Sequence, residues 1–487
     1  MCKKRKYDYL ILLVIAILYQ LVFSASVYLN YFSGDSKVFQ VMGLSILKGG
    51  VPYIDLFDHK GIVLYWIDAI GLGILPHGYG LLLLCIISQS IAAHFWLRAS
   101  SLFIYDWRRW VPVLIGFVIC AVLQGDGNLT EMWSLLPISY AVYLFARNIK
   151  TKELNRLYEF ILLGVGMGFI VFIRPNNIIP IAWYCVIYVL YSLYRKDFKR
   201  VTISSFLIFA GVFVSIGGIC LAYSLLYGSL YPLVYGTFIF NMKYAHIGAF
   251  HARSLLAPYL LLITTLFVLL LSCLFIRKSA KDYLGKEERW IVLAFITGAF
   301  LLTVYTMSGA YFNHYFVVLV PTLVLAAIIP ANLVGKKSML IGIMLVGGVA
   351  SIGIIAAYKI VPAIKMKVRE KLSYSQNVKS LDDFIAAIPE GEKNDIWNYS
   401  GKFLCINTLF HNGIIQKNRI ILPFQLNVDE ELHEIGTIQE MHPKWLVASK
   451  SNPWLNPQDS LFVIENYTKR FSSEVLREYD IDIFQHN

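Results

Sequence analysis

The sequence predicts an α-helical polytopic membrane protein with about eleven spanning helices, followed by a small water-soluble α/β domain. Three observations carry this expectation. Of 487 residues, 57% are apolar and only 15% charged, against about 25% charged in a soluble domain. The apolar residues gather in blocks of roughly 20, the length that crosses a ~30 Å hydrocarbon core. Beyond about residue 358 the blocks stop and charged residues become frequent, so a membrane domain over 1–358 and a soluble domain over 359–487 are expected. The net charge of +12 does not point to nucleic acid, because Lys and Arg sit in short clusters between apolar blocks, as membrane topology requires. The seven cysteines form no C-x-x-C pair, which argues against a disulfide framework or zinc site.

The first apolar run, Tyr7 to Tyr31, follows Lys3, Lys4, Arg5 and Lys6 and is too long for a signal-peptide core, so it reads as an uncleaved span with its basic flank inside. Further spans are expected at 79–97, 110–125, 132–147, 157–173, 177–194, 202–227, 255–276, 290–307, 314–332 and 338–358. Between the first two, residues 38–48 and 61–75 read as interfacial or re-entrant helices in one long outer loop. With this arrangement 22 Lys and Arg fall in inside loops and 6 in outside loops before residue 359, which places the N-terminus inside and the C-terminal domain outside a cytoplasmic membrane. In the C-terminal region, strands are expected at Asp395–Asn398, Arg419–Leu422, Trp445–Ala448 and Ile481–Phe484, and helices at Asp429–Met441 and Asn466–Arg477. The run Gly164-x-Gly166-x-Gly168 has no strand before it and reads as close helix packing, not a nucleotide loop.

Polar residues collect on the predicted outer face: Asp35, Asp55, Asp58, His59 and Lys60 in the first loop, Asp126, Asn128 and Glu131 in the next. Arg174-Pro175-Asn176-Asn177, then Asn241, Lys243 and Tyr244, then Asn313-His314-Tyr315 follow on the same face. Ionisable groups at membrane depth are costly unless paired or facing a polar cavity, so their gathering implies an outer polar cleft. A carboxylate there can serve as general base toward a hydroxyl, and Lys60 and Arg174 can hold a phosphate leaving group. Those parts suit glycosyl transfer from a lipid-phosphate-linked sugar.

The run Gly34-Asp35-Ser36-x-x-Phe39, with Leu47-Lys48-Gly49-Gly50-x-Pro52-Tyr53-x-Asp55-x-Phe57-Asp58-His59-Lys60-Gly61, resembles the first outer loop of GT-C glycosyltransferases. It is most similar to the bacterial relatives of dolichyl-phosphate-mannose protein mannosyltransferases and of the lipid A aminoarabinose transferase. Asn128-Leu129-Thr130-Glu131-x-Trp133, Ile173-Arg174-Pro175-Asn176 and Asn313-His314-Tyr315-Phe316 resemble later motifs of that branch, so the likeness covers about 1–330. Many relatives have proline where this chain has Ile62 after Gly61. The resemblance implies an extracytoplasmic active site, a polyprenyl-phosphate sugar donor and an inverting displacement. It places the catalytic base at Asp35 and the loop lysine at Lys60. Lys60 and Arg174 would hold the donor phosphate. Glu131 or Asp126 would position the acceptor, or join Asp58, His59 or His314 around a divalent cation (Mg, Mn or Zn).

Duller readings compete. Asp35 is placed to cap the helix that follows, Arg174 to snorkel toward headgroups, and Asp58, His59 and Lys60 to be solvated loop charges. A transporter or lipid-linked-sugar flippase is the rival class. It would spread polar residues through the mid-membrane on several spans, whereas here they cluster at one face.

Overall fold

The computed structural model describes residues 6–24, 34–75, 78–124, 127–152, 154–247, 285–306, 313–333, 379–422, 425, 428, 438–449, 457–472 and 481–487. They fall into two compact units, one of residues 1–24, 84–226 and 248–360, the other of residues 25–83, 227–247 and 361–487.

The first unit is helical. Tyr79–Ser101, Pro175–Tyr194, Phe198–Tyr227 and Glu287–Thr306 are long and apolar enough to cross a membrane. Lys6–Tyr19, Trp110–Gln124, Thr130–Thr151, Leu157–Val171 and Val320–Leu333 lie where further spans are expected, while the expected spans 255–276 and 338–358 lie outside the described residues. Lipid offers no hydrophobic drive between apolar helices, so close packing and buried hydrogen bonds must hold them. The Phe145 and Phe295 rings stack at 4.2 Å, and the buried Trp96 Nε1 donates to Ser139 Oγ at 2.8 Å. A Cβ on Gly164 would sit 2.1 Å from the Ile208 carbonyl oxygen, and one on Gly168 1.9 Å from Ser215 Oγ. The glycine run is therefore a helix contact, as its position in the sequence implies. Phe206, Phe209, Phe213 and Leu225 of Phe198–Tyr227 are exposed, as suits a lipid-facing surface.

The second unit joins the first loop to the C-terminal domain. The helices expected at 38–48 and 61–75 are Asp35–Leu47 and Ile62–Ile74. They pack so closely that a Cβ on Gly43 would lie 2.7 Å from the Ala69 amide nitrogen. The C-terminal residues form a mixed four-stranded sheet in the order β1-β2-β4-β3, with β1 Ile396–Asn398, β2 Trp445–Ala448, β3 Tyr467–Ser472 and β4 Asp482–His486. β1 and β2 are parallel, the other pairs antiparallel. Strand period puts Ile396, Trp445, Val447 and Ile483 on one face with Leu381, Ile385 and Leu404. Trp397 and Leu446 occupy the other with Ile438 and Val463.

Two expectations are corrected here. Arg419–Leu422 adds no strand to this sheet; Ile420 makes an isolated bridge to Phe57 through the Arg419 carbonyl, while the Ile420 carbonyl accepts from the Gln416 and Asn418 side chains. Of the expected helix Asn466–Arg477, Tyr467–Ser472 is β3 instead, after a helix over Pro457–Asn466, and 473–477 lies outside the described residues. Tyr467, Thr468 and Phe471 favour a strand, and the free edge of β4 supplies the partner that the sequence alone does not reveal. Of the expected helix Asp429–Met441, Ile438–Met441 is helical and 429–437 lies outside the described residues.

Candidate active site

The motif-bearing first loop lies in the second unit. Gly34, not Asp35, occupies the N-cap of Asp35–Leu47, and Asp35 stands in the first turn, where its carboxylate suits the helix dipole. After Lys48 the chain turns through Gly49, at φ +87°, and Tyr53, at φ +68°. The turn closes when Asp55 Oδ2 accepts from the Val51 amide at 2.7 Å and Tyr53 N donates to the Leu56 carbonyl at 2.8 Å.

Beyond the turn lies a buried polar chain. Asp58 and His59 are 1% and 6% exposed, and Lys60 is half-buried. Tyr65 donates its hydroxyl to Asp58 Oδ2 at 2.8 Å and accepts from the Lys60 amide at 2.9 Å. His59 Nδ1 lies 3.4 Å from Asp58 Oδ1, and Lys60 Nζ lies 2.7 Å from His59 Nε2. Asn241 Nδ2 holds the His59 carbonyl at 2.6 Å, and Phe240 and Tyr244 flank its ring. Burial opposes the charge on Asp58, yet His59, Lys60 and the Tyr65 hydroxyl hold its carboxyl well below the ordinary carboxylate range. Burial and the Lys60 charge push the His59 imidazole below its ordinary value, while Asp58 and Asp35 oppose that shift. A neutral His59 with its proton on Nδ1, toward Asp58, leaves the Nε2 lone pair for the Lys60 ammonium. The Asp35 carboxylate acts electrostatically on the same imidazole.

The first unit holds the other expected residues. Glu131 stands in the first turn of Thr130–Thr151 and is 1% exposed. Its Oε1 pairs with the Arg174 guanidinium, which also lies 3.5 Å over the Tyr315 ring, while Glu131 Oε2 has no partner among the described residues. His314 stacks edge-on against Tyr315 at 4.7 Å. Asn177 Nδ2 ties this end to Ser134 Oγ at 3.0 Å, and Asn128 Oδ1 accepts from Trp133 Nε1 at 2.9 Å. Arg174 is thus held by a carboxylate and an aromatic face, not snorkelling freely. Asp126 lies outside the described residues.

The candidate cation ligands divide into Asp58 with His59 in one unit and Glu131 with His314 in the other. Among the described residues no group of three or more His, Cys, Asp or Glu side chains is placed to hold a metal. Asp58 and His59 are already engaged by Tyr65 and Lys60. As placed, the described candidates do not fit a metal centre.

Sequence reasoning missed Tyr65, Tyr315, Arg419 and Gln425. Tyr315 stands inside a motif already noticed. The others carry no local signal: their roles come from partners that the fold brings up.

No family model and no curated protein sequence matches the chain. Its fold is similar to that of the GT-C membrane structures that follow, and four of the described helices are long and apolar enough to cross a membrane. It is similar to the crystal structure of ArnT from Cupriavidus metallidurans bound to undecaprenyl phosphate, with a TM-score of 0.59 and 11% identity over 98% of each chain. It is also similar to the Archaeoglobus fulgidus oligosaccharyltransferase in complex with Zn and sulfate, with a TM-score of 0.53 and 15% identity over 90% of this chain and 68% of that one. The same organism's AglB, in complex with an inhibitory peptide and a dolichol-phosphate, matches with a TM-score of 0.53 and 13% identity over 91% and 70%.

Proposed function

We propose that this chain is a glycosyltransferase that moves a sugar from a polyprenyl-phosphate carrier to a glycan, lipid or protein acceptor outside the cytoplasmic membrane. Asp35 takes the proton of the acceptor hydroxyl. The acceptor oxygen bonds to the anomeric carbon as the bond from that carbon to the phosphate oxygen breaks on the opposite side. The bonding electrons leave with polyprenyl phosphate, whose charge Lys60 holds in the bound donor and in the departing group alike. One displacement inverts the anomeric centre, with no sugar–enzyme intermediate.

The observation that carries this reading is the half-buried Lys60, whose Nζ lies 2.7 Å from His59 Nε2, in a chain with this fold. A neutral acceptor orients the cation without cancelling it, whereas a carboxylate partner would have to be displaced by the phosphate. Arg174 has such a partner in Glu131; it is the candidate donor-phosphate cation of the first unit. The carrier lipids named for ArnT and AglB support a lipid-phosphate donor. The orientation follows the Lys and Arg bias, with the N-terminus inside and the domain of 359–487 outside.

The test is transfer in purified membranes from a panel of radiolabelled polyprenyl-phosphate sugars, with wild type beside Asp35→Asn. Label should reach acceptor with wild type alone while the variant inserts normally. Equal transfer by both would remove Asp35 from the chemistry. Lipid movement without transfer by wild type would turn the assignment toward a flippase.

A further inference from the structure

Gly413, Arg419, Ile420 and Gln425 of the C-terminal domain meet the first loop, all within the second unit. Lys48 Nζ donates to the Gly413 carbonyl. Phe57 N donates to the Arg419 carbonyl at 2.8 Å, which makes a parallel bridge between Phe57 and Ile420. Arg419 returns the contact: its Nε and Nη2 donate to the Tyr53 carbonyl at 3.0 and 2.6 Å, and its guanidinium lies over the Phe57 ring. The last contact reaches the polar chain itself. Gln425, 0% exposed, donates from Nε2 to Asp58 Oδ1 at 3.1 Å, with His59 Nδ1 3.3 Å from the same nitrogen.

We infer that Gln425 is a positioning residue for the donor-phosphate lysine, acting through Asp58 and His59, and that the C-terminal domain is a built-in part of the first-loop site. The inference rests on the reading of Lys60 given above. Asp58 has two oxygens to fill. Tyr65 fills Oδ2, and Gln425 fills Oδ1 beside the His59 ring. With both filled, the carboxylate has one orientation, the imidazole that faces it has one, and the Nε2 lone pair that meets Lys60 Nζ has one. Without the Gln425 amide, Asp58 Oδ1 keeps only the longer 3.4 Å approach of His59 Nδ1, and the ring and the ammonium are held less firmly in register. Gln425 touches no reacting atom in this scheme, so its loss should weaken ground-state and transition-state binding of the phosphate alike and appear in KM.

The experiment is a two-by-two comparison of wild type, Gln425→Met, Lys60→Ala and the double variant in the transfer assay, with amide hydrogen exchange over residues 51–60. Gln425→Met keeps the side chain's length and removes the amide; should it fail to fold, Gln425→Asn keeps the amide one methylene short and is read in the same way. Gln425→Met should raise KM for the lipid-linked sugar roughly 5- to 20-fold, with kcat within about 2-fold of wild type. In the Lys60→Ala background it should add nothing, because the lysine it positions is gone. An unchanged KM, or the same rise in both backgrounds, would overturn the inference. Exchange over 51–60 should quicken in Gln425→Met, and unchanged exchange overturns the inference even if no donor on the panel is used. Absence of transfer by wild type alongside quickened exchange would instead count against the glycosyltransferase reading and leave the link from Gln425 to the loop standing.

Discussion

Replacing Tyr65 by Phe removes one oxygen from the centre of the polar chain, and its cost can be worked from the contacts. That hydroxyl donates to Asp58 Oδ2 at 2.8 Å and accepts from the Lys60 amide at 2.9 Å, with Tyr65 0% and Asp58 1% exposed. A hydrogen bond to a charged group contributes about 1.5–3 kcal/mol, and the Lys60 N–H would lose its acceptor as well, so a local loss of at least ~2 kcal/mol is expected. Since 1.4 kcal/mol is a factor of ten, exchange of the Lys60 amide should quicken roughly 30-fold or more. Hydrogen exchange of peptides covering 57–65, in detergent-solubilised protein, reads this directly. The pH dependence has a definite sign. The Asp58 carboxyl is held below its ordinary 3.8, so its stabilisation is complete above that pH and is lost only as pH falls through the lower native value. The gap between wild type and Tyr65→Phe, corrected for intrinsic exchange, should therefore be equal at pH 7 and pH 5. An unchanged Lys60 rate, or a gap that closes between those two pH values, would refute the account of Tyr65 and Asp58.

Two further perturbations test the first unit. Arg174→Met leaves Glu131 charged and 1% exposed without its partner, which should cost about 3–5 kcal/mol, and adding Glu131→Met should recover most of it, as read by thermal unfolding in detergent. Gly164→Ala forces a methyl group 2.1 Å from the Ile208 carbonyl oxygen, a backbone atom that cannot step aside alone, so helices Leu157–Val171 and Phe198–Tyr227 should separate at a cost of about 1–3 kcal/mol. A matching substitution at Gly217, which meets nothing within 4 Å, should be silent in the same unfolding assay.

The elements read correctly from the sequence share one property: their signal is local. An apolar block of membrane-spanning length announces a helix whatever it packs against, which is why Tyr79–Ser101 and Phe198–Tyr227 stand where they were expected. β2, Trp445–Ala448, is a short apolar run bounded by polar residues and needs no knowledge of its neighbours. The failures are the segments whose state depends on a partner. Tyr467–Ser472 carries enough Lys and Arg to pass for a helix until β4 offers an edge, and Arg419–Leu422 has strand composition but makes only an isolated bridge, to Phe57 of the first loop.

The candidate site divides in the same way. By itself the sequence determined the apolar blocks of spanning length, where the polar residues concentrate, and that Asp35, Asp58, His59 and Lys60 belong to one connection between two such blocks, because charge in an apolar chain is costly enough to stand out. Only the tertiary structure decided how those residues are used. Arg174 meets Glu131 across 43 positions and Gln425 meets Asp58 across 367, separations over which no local pattern carries information. A buried carboxylate must find donors somewhere, but which ones it finds depends on the packing of helices and strands that are distant in the chain. That packing set His59 Nε2 2.7 Å from Lys60 Nζ, and made the C-terminal domain a partner of the first loop.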